Sequence, residues 1–93
     1  NNQNETPLII ACKTGNLNIV KYLINNGVDI NKENSQGENP LFYACTNKHE
    51  DLAIYLIKYG ADINKKNKYG ITPLNIAQCN KLENIIKYTS KKR

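Results

Sequence analysis

A spacing of thirty-three residues constrains this chain more than any other feature of its sequence. At that spacing Gly27 pairs with Gly60, and Gly37 pairs with Gly70. Four residue types each recur three times in the same register: Pro7, Pro40, Pro73, Leu8, Leu41, Leu74, Ala11, Ala44, Ala77, Tyr22, Tyr55 and Tyr88. A fixed period of this length is typical of stacked repeat arrays, in which each unit buries its apolar face against its neighbours. The period predicts a single domain with units at about 1–33, 34–66 and 67–93, the last being the C-terminal unit.

Each unit carries the signals of two helices. Thr6, Asn39 and Thr72 each precede a proline, which predicts an N-cap followed by proline at the first helical position. The short first helices are expected from Leu8 to near Gly15, over 41–46, and after Pro73. Apolar spacing predicts longer second helices over 17–25, over 51–59 and from about Leu82 onward. Residues 1–5 are expected to be the remnant of a turn, and Lys91, Lys92 and Arg93 suit the C-terminus of the last helix.

The two ends of the array differ in polarity. Thr89 and Ser90 stand where the earlier units have leucine followed by isoleucine, which predicts a polar terminal face. The first unit has no such polar substitution, and Ile9, Ile10 and Val20 are expected to be open. This pattern predicts end-to-end self-association, because heterologous contacts between ends can continue from one molecule to the next.

The cysteines indicate a reducing compartment. Cys12 and Cys45 occupy the same position in successive units, and neighbouring helix axes about 8–10 Å apart are too distant for a disulfide. An odd number of cysteines without disulfide-framework spacing predicts free thiols and a cytoplasmic or otherwise intracellular location. No apolar run approaches eighteen residues, so the sequence predicts no membrane span.

The sequence offers little for catalysis or cofactor binding. His49 beside Glu50 and Asp51 could form a metal or acid–base cluster, but a turn histidine followed by acids at a helix N-terminus explains the same residues. No pair of cysteines or histidines has zinc-ligand spacing, and no glycine-rich phosphate loop or nucleophilic triad is present. We therefore expect neither an enzyme nor a bound cofactor.

Three motifs carry a family resemblance. Thr-Pro-Leu at 6–8, Asn-Pro-Leu at 39–41 and Thr-Pro-Leu at 72–74 each have alanine three residues after the leucine, and two units end in Gly-Val-Asp-Ile-Asn or Gly-Ala-Asp-Ile-Asn. These motifs resemble ankyrin repeats over essentially the whole chain. The resemblance implies an all-α ankyrin-repeat solenoid over 1–93, built of stacked helix-turn-helix units joined by β-hairpin-like loops. It also implies a protein–protein interaction module.

One departure from the family concerns the contact between units. Where the family usually has histidine after Thr-Pro-Leu, this chain has Ile9, Phe42 and Asn75. The hydrogen bonds that such a histidine makes to a neighbouring turn are therefore not expected here. We expect adhesion between units to depend more on apolar packing.

The resemblance also implies where a partner would bind. Specificity is expected from positions that vary between units and face the concave side, at the hairpin tips and along the first helices. We call residues 33–38 the first finger and residues 66–71 the second finger. The candidate partner-binding residues are Glu33, Ser35, Gln36, Glu38, Lys66, Lys68, Tyr69, Ile71, Lys13, Thr14, Thr46, Asn47, Cys79 and Asn80. The second finger is favoured, because Tyr69 and Ile71 offer apolar anchors beside lysines that can steer an acidic partner. The alternative is that Tyr69 packs back on its own hairpin.

The charge distribution leaves other functions open. Residues 1–57 carry four lysines against six acidic residues, whereas residues 58–93 carry nine basic residues against two, a net charge of +7. A basic half can attract nucleic acid or an acidic polymer. A third interpretation is a structural spacer between domains of a larger protein.

Overall fold

The structure is a computed structural model that describes residues 6–91, with the side chain of Lys91 left out. The expected turn remnant at 1–5 and the terminal residues Lys92 and Arg93 lie outside the described residues. The helices are α1 (Pro7–Thr14), α2 (Leu17–Asn25), α3 (Pro40–Thr46), α4 (Glu50–Lys58), α5 (Pro73–Cys79) and α6 (Glu83–Lys91). Between residues 6 and 91 the chain forms no β-strand, which agrees with the all-α prediction.

The first helix of each pair begins at the predicted cap. The Thr6 Oγ1 atom accepts a hydrogen bond from the Ile9 N–H at 3.2 Å, and Asn39 Oδ1 accepts one from the Phe42 N–H at 3.3 Å. At α5 the capping is reciprocal, because Asn75 Oδ1 also accepts from the N–H of the cap residue that precedes Pro73. Each of these helices has proline in its first turn, as predicted.

The second helices lie close to their predicted bounds. Helix α2 spans the predicted residues 17–25, α4 begins and ends one residue earlier than predicted, and α6 begins one residue later than predicted. Gly27 and Gly60 follow α2 and α4 with φ angles of 83° and 104°. These positive φ angles are accessible to glycine without steric strain.

The helix pairs stack so that the first helices lie side by side. Helix α3 packs against both α1 and α5, and α4 packs against α6. Ile9 and Phe42 are buried, whereas Asn75 at the same position of the third pair is exposed. This position therefore faces the following helix pair, and apolar side chains fill the contact as expected.

The prediction that Ile9 and Val20 are open is wrong. Both side chains are fully buried, because they face the second helix pair rather than the end of the stack. Ile10 is exposed, as expected, and Ile19 and Tyr22 are exposed with it. The open apolar end is thus real, but two of its three predicted members belong to the interior.

The cysteines are free thiols in two different environments. Cys12 and Cys45 lie in the core, and burial raises the pKa of each thiol from 9.0 to about 12. Cys79 is exposed at the end of α5. Within residues 6–91, no helix has both the length and the apolar character needed to cross a membrane.

Candidate protein-binding surface

The first finger is shaped by one buried asparagine. Asn34 Oδ1 accepts hydrogen bonds from the N–H groups of Gln36 at 2.9 Å and Glu38 at 3.1 Å. The Asn34 N–H donates to the Glu38 carbonyl, and the Gly37 N–H donates to the Asn34 carbonyl, each at 3.0 Å. The asparagine side chain and backbone together close the turn, which is the usual function of this residue in turns.

The second finger repeats this arrangement thirty-three residues later. Asn67 Oδ1 accepts from the N–H groups of Tyr69 at 2.9 Å and Ile71 at 3.0 Å. The Asn67 N–H donates to the Ile71 carbonyl at 2.9 Å, and Gly70 donates back to Asn67. Sequence reasoning missed both asparagines, although their recurrence at the repeat spacing was a usable signal.

A chain of hydrogen bonds fastens the two fingers together. Asn67 Nδ2 donates to Glu38 Oε2 at 2.9 Å, and the Tyr43 hydroxyl donates to Glu38 Oε1 at 2.7 Å. Asn34 Nδ2 donates to the Tyr43 hydroxyl at 2.7 Å. Glu38, a predicted partner-binding residue, is half-buried, and both of its carboxylate oxygens accept hydrogen bonds in this network. The fingers are therefore held in a fixed relation to each other.

Two further contacts strengthen the same connection. The Lys68 N–H donates to the Gln36 carbonyl at 3.0 Å, so the fingers share a backbone hydrogen bond. The Lys65 Nζ atom lies 3.1 Å from Glu33 Oε2 in a partly exposed ion pair. Ser35 is the most open of the predicted residues on the first finger.

Another asparagine joins the base of the first finger to the base of the second. Asn31 Oδ1 accepts from the Asp62 N–H at 2.8 Å, and Asn31 Nδ2 donates to the Gly60 carbonyl at 3.1 Å. Asn39, buried beside it, donates from Nδ2 to the Asp62 carbonyl at 3.1 Å. These bonds align successive loops.

The tip of the second finger is open and apolar. Tyr69 is 69% exposed and Ile71 is 41% exposed, so most of the Tyr69 side chain is open to solvent. Lys68 Nζ lies 5.4 Å from the centroid of the Tyr69 ring, within the range of a cation–π interaction. Lys66 is also exposed. The predicted aromatic and aliphatic anchors therefore stand among lysines.

The predicted binding residues along the first helices fall into two groups: some join neighbouring helix pairs, and the others are exposed. Asn47 Nδ2 donates to the Lys13 carbonyl at 3.1 Å, and Asn80 Nδ2 donates to the Cys45 carbonyl at 3.0 Å. Both asparagines thus tie one helix pair to the preceding pair. The remaining predicted positions on these helices are exposed: Thr14, Thr46 and Cys79.

His49 lies in a structural contact. It precedes α4, and its ring lies over Gly15, where an added Cβ would come within 2.6 Å of Cε1. Glu50 accepts a hydrogen bond at 3.3 Å from the N–H of Asn84 in the third helix pair. No group of metal-binding side chains occurs in the part of the chain that the structure describes.

Three helix pairs, stacked on a shared apolar seam and carrying fingers on one side, define a helical repeat scaffold. The family model for ankyrin repeats (3 copies) matches residues 1–67, and the chain belongs to the ankyrin repeat family. The third helix pair lies beyond that match and continues the same packing. A search of curated proteins found no match to the chain. Ankyrin repeats are in general non-catalytic scaffolds for protein–protein interaction.

Proposed function

We propose that this chain is a protein-interaction module whose second finger anchors an acidic partner. The observation that carries the proposal is the adjacency of Tyr69 and Ile71, two exposed apolar side chains at one finger tip. Exposed aromatic and aliphatic groups of this kind account for much of the energy of protein interfaces once a partner covers them. The concave edge of the first helices would supply the surrounding contacts.

The charge around the second finger supports an acidic partner. Lys66 and Lys68 flank the anchors, within the segment 58–93 whose net charge is +7. Such a field accelerates encounter with an acidic surface and disfavours basic competitors. The three free thiols in residues 6–91 suit a reducing compartment, so the proposal puts the interaction in the cytoplasm or another intracellular compartment.

The same basic segment favours a second candidate, an electrostatic binder of nucleic acid or another acidic polymer. Binding to phosphates weakens steeply and linearly with the logarithm of the salt concentration. Contact with an apolar anchor is much less sensitive to salt. The exposed Tyr69 and Ile71 favour the protein partner, and a role as a spacer between domains would require neither anchor.

The proposal can be tested with a displayed library of acidic peptides. The peptide selected by the whole chain is titrated calorimetrically against Tyr69→Ala and against Tyr59→Ala, an exposed tyrosine that follows α4. We expect Tyr69→Ala to weaken binding by about 2 kcal/mol or more, because it removes a central anchor. Tyr59→Ala should leave the affinity unchanged.

Two results would contradict the proposal. If both variants bind the peptide as the parent protein does, the second finger is not the binding site. If no peptide is selected and a single-stranded oligonucleotide binds with a steep salt dependence, the electrostatic candidate replaces the protein-interaction module.

A further inference from the structure

The sixteen asparagines of the chain include a single one that is followed by glycine, Asn26, and it lies where α2 ends. Because Gly27 has no Cβ, its backbone nitrogen is less shielded than that of any other residue type would be. A nitrogen in this position can attack the side-chain amide of the asparagine before it. The pair is therefore a candidate for spontaneous conversion of the amide to an acid.

Both residues of the pair are open to solvent. Asn26 and Gly27 are exposed, and a Cβ added at Gly27 would have no atom of the described residues within 4 Å apart from its chain neighbours. The same position of the second helix pair, which has a helix pair on each side, is equally open. Gly60 is exposed there, and Tyr59 before it is 50% exposed. The openness thus belongs to this position in the repeat, and water and base can reach Asn26.

The hydrogen bonds that hold the pair belong to the last turn of α2. Asn26 Nδ2 donates to the Tyr22 carbonyl at 2.7 Å, and the Gly27 N–H donates to the Ile24 carbonyl at 3.1 Å. Both bonds must break before the Gly27 nitrogen can reach the side-chain carbon of Asn26. Exposed helix ends open in this way at little cost in free energy, without unfolding of the core.

Other asparagines lie where the fold restrains them more strongly. Asn34 precedes the small residue Ser35, but Asn34 is buried and its Oδ1 atom accepts hydrogen bonds from two N–H groups of the first finger. Asn31 and Asn39 both donate to backbone carbonyls of the next loop. Cyclisation at any of these three asparagines would require a finger or a contact between loops to open. The fold therefore favours reaction at the end of α2.

We propose that Asn26 is the site at which the folded protein undergoes spontaneous deamidation. The Gly27 nitrogen loses its proton and forms a bond to Cγ of Asn26, and the side-chain nitrogen leaves as ammonia. One water molecule then opens the cyclic imide at either of its carbonyl groups, which yields aspartate or isoaspartate. The reaction needs no oxidant or reductant. The site is distinct from the finger surface of the proposed function.

The product weakens the end of α2. The amide donor to the Tyr22 carbonyl is lost, and a carboxylate takes its place beside the free carbonyl groups at the negative end of the helix dipole. Isoaspartate also passes the main chain through Cβ, which lengthens the backbone at the cap. The formal net charge of the chain falls by one from +5.

The test follows the whole chain by mass spectrometry during incubation in mildly alkaline buffer, with a parallel sample unfolded in urea. Tryptic cleavage after Lys21 and Lys32 releases a peptide of residues 22–32, whose fragment spectra identify the converted asparagine. Enzymatic methylation of isoaspartate reports the cyclic imide, because direct hydrolysis of the amide gives aspartate alone. Asn26→Gln is the matched control, since the longer side chain keeps the amide but closes a larger and less favourable ring.

We expect Asn26 to convert before any other asparagine within residues 6–91, with isoaspartate among the products. Its rate in the folded protein should be within about tenfold of its rate in urea, because the last turn of α2 opens readily. The rate should rise with pH, since the attacking nitrogen must lose its proton, and Asn26→Gln should abolish the isoaspartate signal in the peptide.

Three results would overturn the proposal. One is earlier conversion of another described asparagine in the folded protein. The second is conversion of Asn26 that is absent, or more than about tenfold slower in the fold than in urea, which would show that the helix end does not open as a local unit. The third is an isoaspartate signal in the peptide from Asn26→Gln equal to that of the parent protein.

Discussion

Substitution of Gly15 by alanine should destabilise the fold through one specific contact. Gly15 has φ 78°, and a Cβ there would lie 2.6 Å from Cε1 and 2.8 Å from Nε2 of His49. A left-handed conformation disfavours a side chain by about 1–2 kcal/mol. Lys48 and Lys81 hold the corresponding positions of the other pairs with φ 61° and 57°, so the backbone angle alone does not require glycine. What distinguishes Gly15 from these positions is the His49 ring, which would have to move to make room for a Cβ.

The magnitude follows from these two effects. Alanine at Gly27 has a similar φ of 83° with no atom within 4 Å of the added Cβ, and it should lower the free energy of unfolding by about 1 kcal/mol. Alanine at Gly15 should lower it by about 2–4 kcal/mol, because the crowding against His49 adds about 1–3 kcal/mol. The difference between the two variants isolates the steric contact.

Urea unfolding followed by circular dichroism measures both variants. The double variant Gly15→Ala with His49→Ala completes a thermodynamic cycle, and it should be more stable than the sum of the single effects predicts. Two outcomes would refute a steric contact between Gly15→Ala and the His49 ring. One is equal destabilisation by alanine at Gly15 and at Gly27. The other is additivity of the effects of Gly15→Ala and His49→Ala.

Four other predictions concern the core, a helix cap and the thiols. Phe42→Ala should lower the free energy of unfolding by about 3–5 kcal/mol in urea titrations, because the ring is buried between helix pairs. Asn39→Ala should lower it by about 2–3 kcal/mol, since it removes a helix cap and leaves a carbonyl of the next loop without its amide donor. Burial raises the pKa of Cys12 and Cys45 from 9.0 to about 12, so the unfolded chain releases these protons first and stability should fall as the pH rises from about 9 to about 12. Mass spectrometry after iodoacetamide treatment at mildly alkaline pH should find only Cys79 alkylated in the folded protein and all three thiols alkylated in urea.

The helices could be predicted closely because their signals are local. A capping residue followed by proline determines where α1, α3 and α5 begin, and apolar spacing determines the extent of α2. The stacking of the helix pairs could also be predicted, since the sequence repeats with a period of thirty-three residues. The family match over 1–67 confirms the fold inferred from these patterns.

The orientation of single side chains could not be predicted as well. Ile9 and Ile10 are adjacent and equally apolar, yet one faces the second helix pair and the other lies at the end of the stack. The sequence shows that an apolar stripe exists but not which half of it the next unit covers. Similarly, the sequence does not distinguish Glu38 from an exposed acidic residue. Its hydrogen bonds with Tyr43 and Asn67 arise only from the tertiary structure.

The hydrogen bonds that join the two fingers bear on the rates at which a partner binds and dissociates. Asn67 fixes the backbone of the second finger, and Glu38 fixes the finger relative to its neighbour. If the second finger binds a partner as we propose, its tip needs little ordering on binding. We expect the association rate to be set mainly by the surrounding lysines and to fall as salt is added. The dissociation rate should instead depend on how well the partner encloses Tyr69. The association rate and the dissociation rate would then be controlled by different side chains of the same finger.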